Sequence, residues 1–212
     1  MQQVVTILFN GFETLDVFGP VEILGRLNED FHVNLYSLEG GIIKSSQDVP
    51  VHTRPLSQMN LENYILMIPG GTGTRELVSD EVFREHLKNL SNNAEYILTI
   101  CTGSILLAKT GLLDGKMATT NKRVFAWTEH FPEVNWVREA RWVRDGNIYT
   151  SSGVSAGMDM ALGFVADQLG YDVAKRQSIE IEYDWKEDPS WDPFSSVYTD
   201  NTPLKHQSGK HH

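Results

Sequence analysis

Apolar residues in this chain come in two rhythms. Val4–Phe9, Tyr64–Ile68 and Tyr96–Ile100 are short, nearly continuous apolar runs rich in β-prone residues. Between them lie longer stretches in which apolar residues recur every three or four positions. In Leu15–Leu27 the recurring set is Val17, Val21, Leu24 and Leu27. The first rhythm predicts strands buried on both faces, and the second predicts helices that cover them. Pro20 stands early enough in its helix to be tolerated.

The remaining elements follow by the same reading. His32–Leu38 alternates as a strand, and Ile42–Val51 reads as a polar hairpin. Glu76–Leu90 reads as one helix and Lys116–Thr120 as a short strand. Trp136–Val143 and Asn147–Thr150 form a hairpin turning at Arg144-Asp145-Gly146. Ser155–Leu169 is a long apolar helix with Ser152 and Ser155 as candidate caps and Gly170 at its end. Asp172–Glu182 is a further helix. Alternating strands and helices predict an α/β fold, a mostly parallel sheet with helices on both faces. Residues 1–183 are expected to form a single domain. From Tyr183 the composition changes, with Trp185, Trp191 and Phe194 scattered among acids and prolines. Residues 184–205 are expected to pack on the domain or on a second subunit. Residues 206–212 are expected to be a disordered tail, and the final His pair is given no metal role.

Composition narrows the function classes. The 212 residues carry a formal net charge of −10 and are 41% apolar. An acidic chain with no concentrated basic stretch is not expected to bind nucleic acid. No apolar run approaches the roughly 18 residues of a membrane span. Met1-Gln2-Gln3 enters the first strand without a secretory signal, so a reducing, cytoplasmic location is expected. A single cysteine excludes an internal disulfide and any multi-cysteine metal site.

That cysteine, Cys101, lies where the run Tyr96–Ile100 ends and the helix-like Ser104–Lys109 begins. A thiol there stands at the carboxyl end of a strand, where ligands of parallel sheets bind. Backbone N–H groups and the helix dipole favour its anion. Two other segments reach the same edge. One is Pro69-Gly70-Gly71-Thr72-Gly73, read either as a tight turn or as a source of N–H donors for a developing anion, with Thr102 N–H as a second donor. The other is Asn10–Asp16. Asp16 reads either as a helix N-terminal charge or as an acid facing the thiol, with Glu13 and Glu22 as competitors. If Asp16 faces Cys101, two anions in a poorly solvated site would repel. One proton would then be shared, raising the Asp pKa or leaving the thiol neutral. Thr119-Thr120-Asn121 and Ser151-Ser152-Gly153 end further strands. Asn121 and Ser152 read either as lining the same edge or as turn and cap residues. Trp127, Trp136 and Trp142 are expected in the core or an interface.

The motifs "LDVFGPVEIL", "MIPGGTGT", "ICTGSILLAKTGLLDGKMATT" and "RWVRDGNIYTSSGVSAGMDMAL", in that order, resemble the ThiJ/PfpI superfamily, related to class I glutamine amidotransferases. Within it the likeness is to isocyanide hydratases and their relatives, and it spans Val4 to Phe194. The resemblance implies a flavodoxin-like three-layer sandwich, a homodimer, and Cys101 as nucleophile on a strained elbow. It matches Asp16 to the acidic partner, Thr102 to the threonine after the nucleophile, and Gly71 to the loop facing the thiolate. It implies a small electrophilic substrate and no metal or organic cofactor. In isocyanide hydratases the thiolate attacks the terminal isocyanide carbon to form a thioimidate, and water releases an N-substituted formamide. The chain departs from the pattern at Asn121, where many superfamily members carry histidine, in its long aromatic segment 121–142, and in its tail. The resemblance leaves other readings open: a glyoxalase or deglycase acting on 2-oxoaldehydes, an oxidation or electrophile sensor, and a ligand-sensing module like those of AraC-type regulators.

Overall fold

The computed structural model describes residues 1–198, and the expectations for residues 199–212 fall outside them. The chain runs β1 (Gln2–Ile7), α1 (Thr14–Arg26), β2 (Phe31–Ser37), β3 (Gly41–Lys44), β4 (Pro50–Pro55), β5 (Tyr64–Ile68), α2 (Thr74–Leu77), α3 (Glu81–Asn92), β6 (Ala94–Thr99) and α4 (Gly103–Lys109). It continues with β7 (Met117–Ala118), a 3-10 stretch at Lys122–His130, β8 (Asn135–Trp136), β9 (Trp142–Asp145), β10 (Ile148–Ser151), α5 (Ala156–Leu169) and α6 (Tyr171–Glu180).

Eight strands form one sheet in the order β3-β4-β2-β1-β5-β6-β10-β9. The six from β4 to β10 pair in parallel, and only the edges, β3 on β4 and β9 on β10, are antiparallel. The pleat sends alternate residues to opposite faces. Val5, Ile7, Leu66 and Ile68 pack with Phe83 and Leu87 of α3 and Leu106 and Leu107 of α4. Val4, Ile65, Met67 and Leu98 pack with Ile23 and Leu24 of α1 and Phe164 of α5. This is the doubly covered, mostly parallel sheet that the two rhythms predict, in the flavodoxin-like sandwich that the resemblance implies. The strand order reverses between β1 and β5, so the loops leaving these strands diverge and open a crevice at the carboxyl edge. No helix among the described residues is long and apolar enough to cross a membrane.

Three elements differ from the sequence reading. The helix expected over Glu76–Leu90 is two helices, because Asp80 adopts an extended conformation (φ −84°, ψ 106°) and its side chain accepts from Phe83 N–H at 3.0 Å, capping α3. The strand expected over Lys116–Thr120 is confined to β7, which pairs with β8 in a separate two-stranded sheet. The strand expected over Trp136–Val143 is interrupted. Val137 N–H turns to Ala118 O at 2.8 Å and Arg141 N–H to Pro189 O at 2.8 Å, so only Trp142 onward pairs with β10.

The segment after Tyr183 packs partly on the domain. Trp185 is buried and donates from Nε1 to Asp159 O at 3.2 Å, whereas Trp191 and Phe194 stay exposed. Asp192, between them in sequence, is fully buried.

Candidate active site

Cys101 sits between β6 and α4 with φ 55°, a left-handed conformation rare outside glycine and held only when the surroundings enforce it. Four main-chain ties do so. Cys101 N–H donates to Ser152 O at 3.1 Å, and Ile100 N–H to Ile68 O at 3.0 Å. The Cys101 carbonyl accepts from Ser104 Oγ at 3.1 Å and from Thr120 Oγ1 at 3.0 Å. Gly103 permits the approach of α4 to the end of β5, since a Cβ there would lie 2.2 Å from Ile68 O.

The sulfur accepts from Asn121 Nδ2 at 3.0 Å. The N–H groups of Thr102 and Val154 also favour its anion. Val154 adopts φ 34°, strained for a β-branched residue. Burial and the neighbouring Asp16 nevertheless prevail over these donors and push the thiol up to about 12. The helix dipole favoured a free thiolate from sequence, but α4 has only seven residues. Desolvation outweighs that stabilisation.

Asp16 lies in the first turn of α1 and is fully buried. Burial pushes its carboxyl up to about 8. Gly70 N–H lowers it, Glu13 raises it further, and the Cys101 thiol lowers it. Gly70 N–H donates to Oδ2 at 2.8 Å, and Oδ1 has no nitrogen or oxygen partner among the described residues. Both acids are thus raised, mainly by desolvation. The site tolerates no more than one negative charge across the pair near neutral pH.

Of the two readings of the glycine loop, its hydrogen bonds fit the tight turn and not the anion donor. Gly70 N–H is committed to Asp16. Gly71 N–H donates to Thr102 Oγ1 at 3.2 Å and Thr72 N–H to Ser46 Oγ at 3.3 Å. The loop therefore holds the acid and Thr102 in place, and the donors turned toward the sulfur are Asn121, Thr102 N–H and Val154 N–H. Thr102 Oγ1 also accepts from Thr74 Oγ1 at 3.1 Å. Gly71 carries φ 128° with no room for a side chain, its Cβ position lying 2.3 Å from Gly11 O.

A cavity of about 960 Å³ opens over Cys101. Gly71, Thr72, Thr102, Asn121 and Val154 line it, and the 3-10 stretch adds Val124 and Trp127 as an apolar wall. Glu13, Arg75, Arg123 and His130 also border it. Asp16 and Gly70 do not line it, and Asp16 meets it through the Cys101 thiol that it contacts. Ser152 acts through its main chain, joining Cys101 N–H on one side to Arg141 O, 2.9 Å away, on the other. Of the competing acids, Glu13 accepts from Gln47 Nε2 at 2.8 Å and Glu22 pairs with Arg26 at 3.5 Å on the surface. Trp127 differs from its expected place in core or interface. Val154 acts only through its N–H and has no side-chain signature. Among the described residues, no group of three or more His, Cys, Asp or Glu is placed to hold a metal ion.

The comparisons with known proteins agree with this architecture. The chain is 31% identical over 202 residues to a Pseudomonas putida protein named isonitrile hydratase, covering 95% of this chain and 85% of that one. It is 29% identical over 178 residues to the HTH-type transcriptional regulator CdhR of Pseudomonas aeruginosa, of which the match spans only about half, 52%. A crystal structure of a ThiJ/PfpI family protein from Pseudomonas syringae superposes with a TM-score of 0.78 at 28% identity, covering 90% of this chain and 78% of that one. Residues 2–167 match the model of the DJ-1/PfpI family, and the chain belongs to that family.

Proposed function

We propose that this chain is a cofactor-free, cysteine-dependent hydro-lyase that adds water to an isocyanide through a Cys101 thioimidate. The observation that carries the proposal is the pairing of Cys101 with an Asp16 carboxyl that burial keeps protonated near neutral pH, beside a sulfur whose side-chain donor is an amide, Asn121, instead of an imidazole. Similarity to a protein named isonitrile hydratase over nearly the whole chain supports the same chemistry.

An isocyanide needs a nucleophile and a proton at the same carbon, and it has no amine leaving group that would call for a histidine acid. The reactive form is the Cys101 thiolate with neutral Asp16. Sulfur attacks the terminal carbon, and that carbon takes the Asp16 proton, giving Cys–S–CH=N–R and an aspartate. The aspartate then draws a proton from water as its oxygen adds to the thioimidate carbon, and that proton passes to nitrogen. The tetrahedral adduct collapses with cleavage of the C–S bond. Its hydroxyl proton returns to Asp16, and R–NH–CHO leaves. Thiolate and neutral acid are restored, and the sum is isocyanide plus water to formamide. Thr102 N–H and Asn121 support the sulfur anion before attack and after release. The apolar wall of Val124 and Trp127 suits the substituent R.

The test is turnover of an aryl isocyanide to its formamide, followed by ultraviolet absorbance. Steady turnover that vanishes in Cys101→Ala and falls in Asp16→Asn is expected. No turnover by a folded wild type with reduced Cys101 removes the proposal. Consumption of methylglyoxal would then select the 2-oxoaldehyde reading, and a peroxide mass shift without turnover the sensor reading.

A further inference from the structure

Asn121 faces the sulfur, and directly behind it in sequence lies a buried cation. Lys122 is 3% exposed, an uncommon position for lysine. Its ammonium donates to Thr119 Oγ1 at 2.7 Å, to Ala140 O at 2.7 Å and to Thr120 O at 3.4 Å. These bonds use all three of its protons. Asp192 Oδ2 lies 3.9 Å away, and the Phe125 ring centroid lies 5.5 Å away.

Two of those acceptors lead straight into Asn121. Thr120 also donates from Oγ1 to the Cys101 carbonyl, and Asn121 Nδ2 reaches the sulfur. The third acceptor, Ala140, precedes Arg141, whose carbonyl accepts Ser152 N–H while Ser152 O accepts Cys101 N–H. Both flanks of the nucleophile elbow therefore converge on one ammonium. Its counter-ion comes from the C-terminal segment. Asp192 is fixed by its own N–H to Glu139 O at 2.6 Å, by Phe194 N–H to Oδ1 at 3.0 Å, and by Arg141 Nη1 at 3.6 Å. Burial is the largest influence on Lys122 and pulls its ammonium down to about 8; Asp192 and Glu139 favour the charge, and Arg138 and Arg141 oppose it.

We infer that Lys122 is a positioning residue for Cys101: it fixes the 119–121 turn so that Asn121 donates to the sulfur, with Asp192 of the C-terminal segment as its counter-ion. Removing the ammonium leaves three oxygens and a carboxylate without their cation. The turn relaxes, and the Asn121 bond to the sulfur loosens. The inference rests on Cys101 being the reactive thiol, as in the proposed function, and not on which electrophile it attacks.

The test measures alkylation of Cys101 by iodoacetamide from pH 6 to 10 in the full chain. The variants are Lys122→Met, Asp192→Asn, Asn121→Ala and the Asn121→Ala/Lys122→Met double variant. A hydrogen bond to a charged group is worth about tenfold or more. Lys122→Met is therefore expected to react about tenfold slower at pH 7, where the wild-type lysine is charged, with its pH–rate profile displaced to higher pH, and Asp192→Asn to move the same way by less. The double variant is expected to match Asn121→Ala. A purely structural lysine would lower the melting temperature and leave the pH–rate profile in place. The inference is overturned if folded Lys122→Met reacts at the wild-type rate or faster, or if its effect multiplies in full with that of Asn121→Ala. If Lys122→Met does not fold, Asp192→Asn decides: a wild-type pH–rate profile overturns the inference and one displaced to higher pH supports it. Absence of isocyanide turnover in wild type leaves this readout intact, so the two readings fail separately.

Discussion

Gly70 N–H donates to Asp16 Oδ2 at 2.8 Å, the strongest support for a negative charge that burial otherwise opposes. Asp16 in turn raises the Cys101 thiol. Asp16→Asn keeps an oxygen for Gly70 and removes the competing anion. Its Cys101 is expected to ionise at lower pH than in wild type and to be alkylated faster at pH 8, while isocyanide turnover drops about 100-fold for want of the proton donor. Alkylation and turnover thus move in opposite directions. An alkylation profile that stays in place or moves to higher pH in Asp16→Asn would show that the two groups do not share a charge.

The same carboxyl sets a dependence of stability on pH. The folded pKa of Asp16 is raised, to about 8, above the ordinary 3.8. Between these values the unfolded chain has released the proton while the folded chain keeps it. Stability from this group is therefore full below about pH 4 and is lost progressively as pH rises toward 8. Asn at this position does not titrate. Denaturant unfolding of Asp16→Asn and wild type at pH 4.5, 6 and 8 is expected to show the variant gaining relative to wild type, by up to ~5 kcal/mol across the window. Parallel curves for the two proteins would refute the raised carboxyl.

Gly71 and Gly146 both have positive φ, 128° and 63°, but differ in surroundings. A Cβ on Gly71 would meet Gly11 O at 2.3 Å and Glu13 N at 2.5 Å, whereas nothing lies within 4 Å of one on Gly146. Gly146→Ala is expected to cost ~1 kcal/mol from backbone strain alone. Gly71→Ala adds an overlap that the loop cannot relieve without displacing the entry to α1, and hence Asp16. It is expected to cost ~3 kcal/mol or more and to abolish turnover in any folded fraction. Thermal melts and the isocyanide assay on both variants decide the contrast.

The sheet and the place of the nucleophile were legible because both depend on continuous patterns. Apolar runs stop where the carboxyl edge begins, and Cys101 stands at such a stop. Other features left weaker marks. The 3.6-residue rhythm crosses Asp80 unbroken, and only the side-chain cap on Phe83 N–H ends one helix and starts the next. Asp16 could not be separated from Glu13 and Glu22 by pattern alone, because an acid in a first helical turn reads the same whether solvated or buried. Val154 left no mark, since it contributes an N–H that every residue but proline carries. Lys122 and Asp192 carry no sequence mark of their burial, because they meet across 70 residues of chain.

Arg141 carries the other half of that buried network. Its Nε and Nη2 each lie 2.8 Å from Asp159 Oδ2, Nη2 donates to Ser155 Oγ at 3.2 Å, and Nη1 lies 3.6 Å from Asp192 Oδ1. Both carboxylates are fully buried. Asp159 is held above the ordinary range, chiefly by burial, even with Lys186 N–H and Arg141 favouring its charge. Arg141→Met preserves much of the side-chain volume, strands the buried Asp159 carboxylate and leaves Asp192 with Lys122 alone. Breaking a buried pair in this way costs ~3–5 kcal/mol. The loss is expected to shrink as pH falls from 7 to 5, because a raised carboxyl without its cation takes up a proton in the folded state before the unfolded state does. Asp159→Asn/Arg141→Met is expected to recover part of the loss at pH 7 and to show a flatter profile than Arg141→Met. Urea unfolding of the three proteins at pH 5 and 7 measures this. A loss for Arg141→Met that stays constant with pH would mean that solvent reaches the carboxylates, and that the C-terminal segment is held by its main-chain bonds to Arg141 and Glu139 instead of by buried charge.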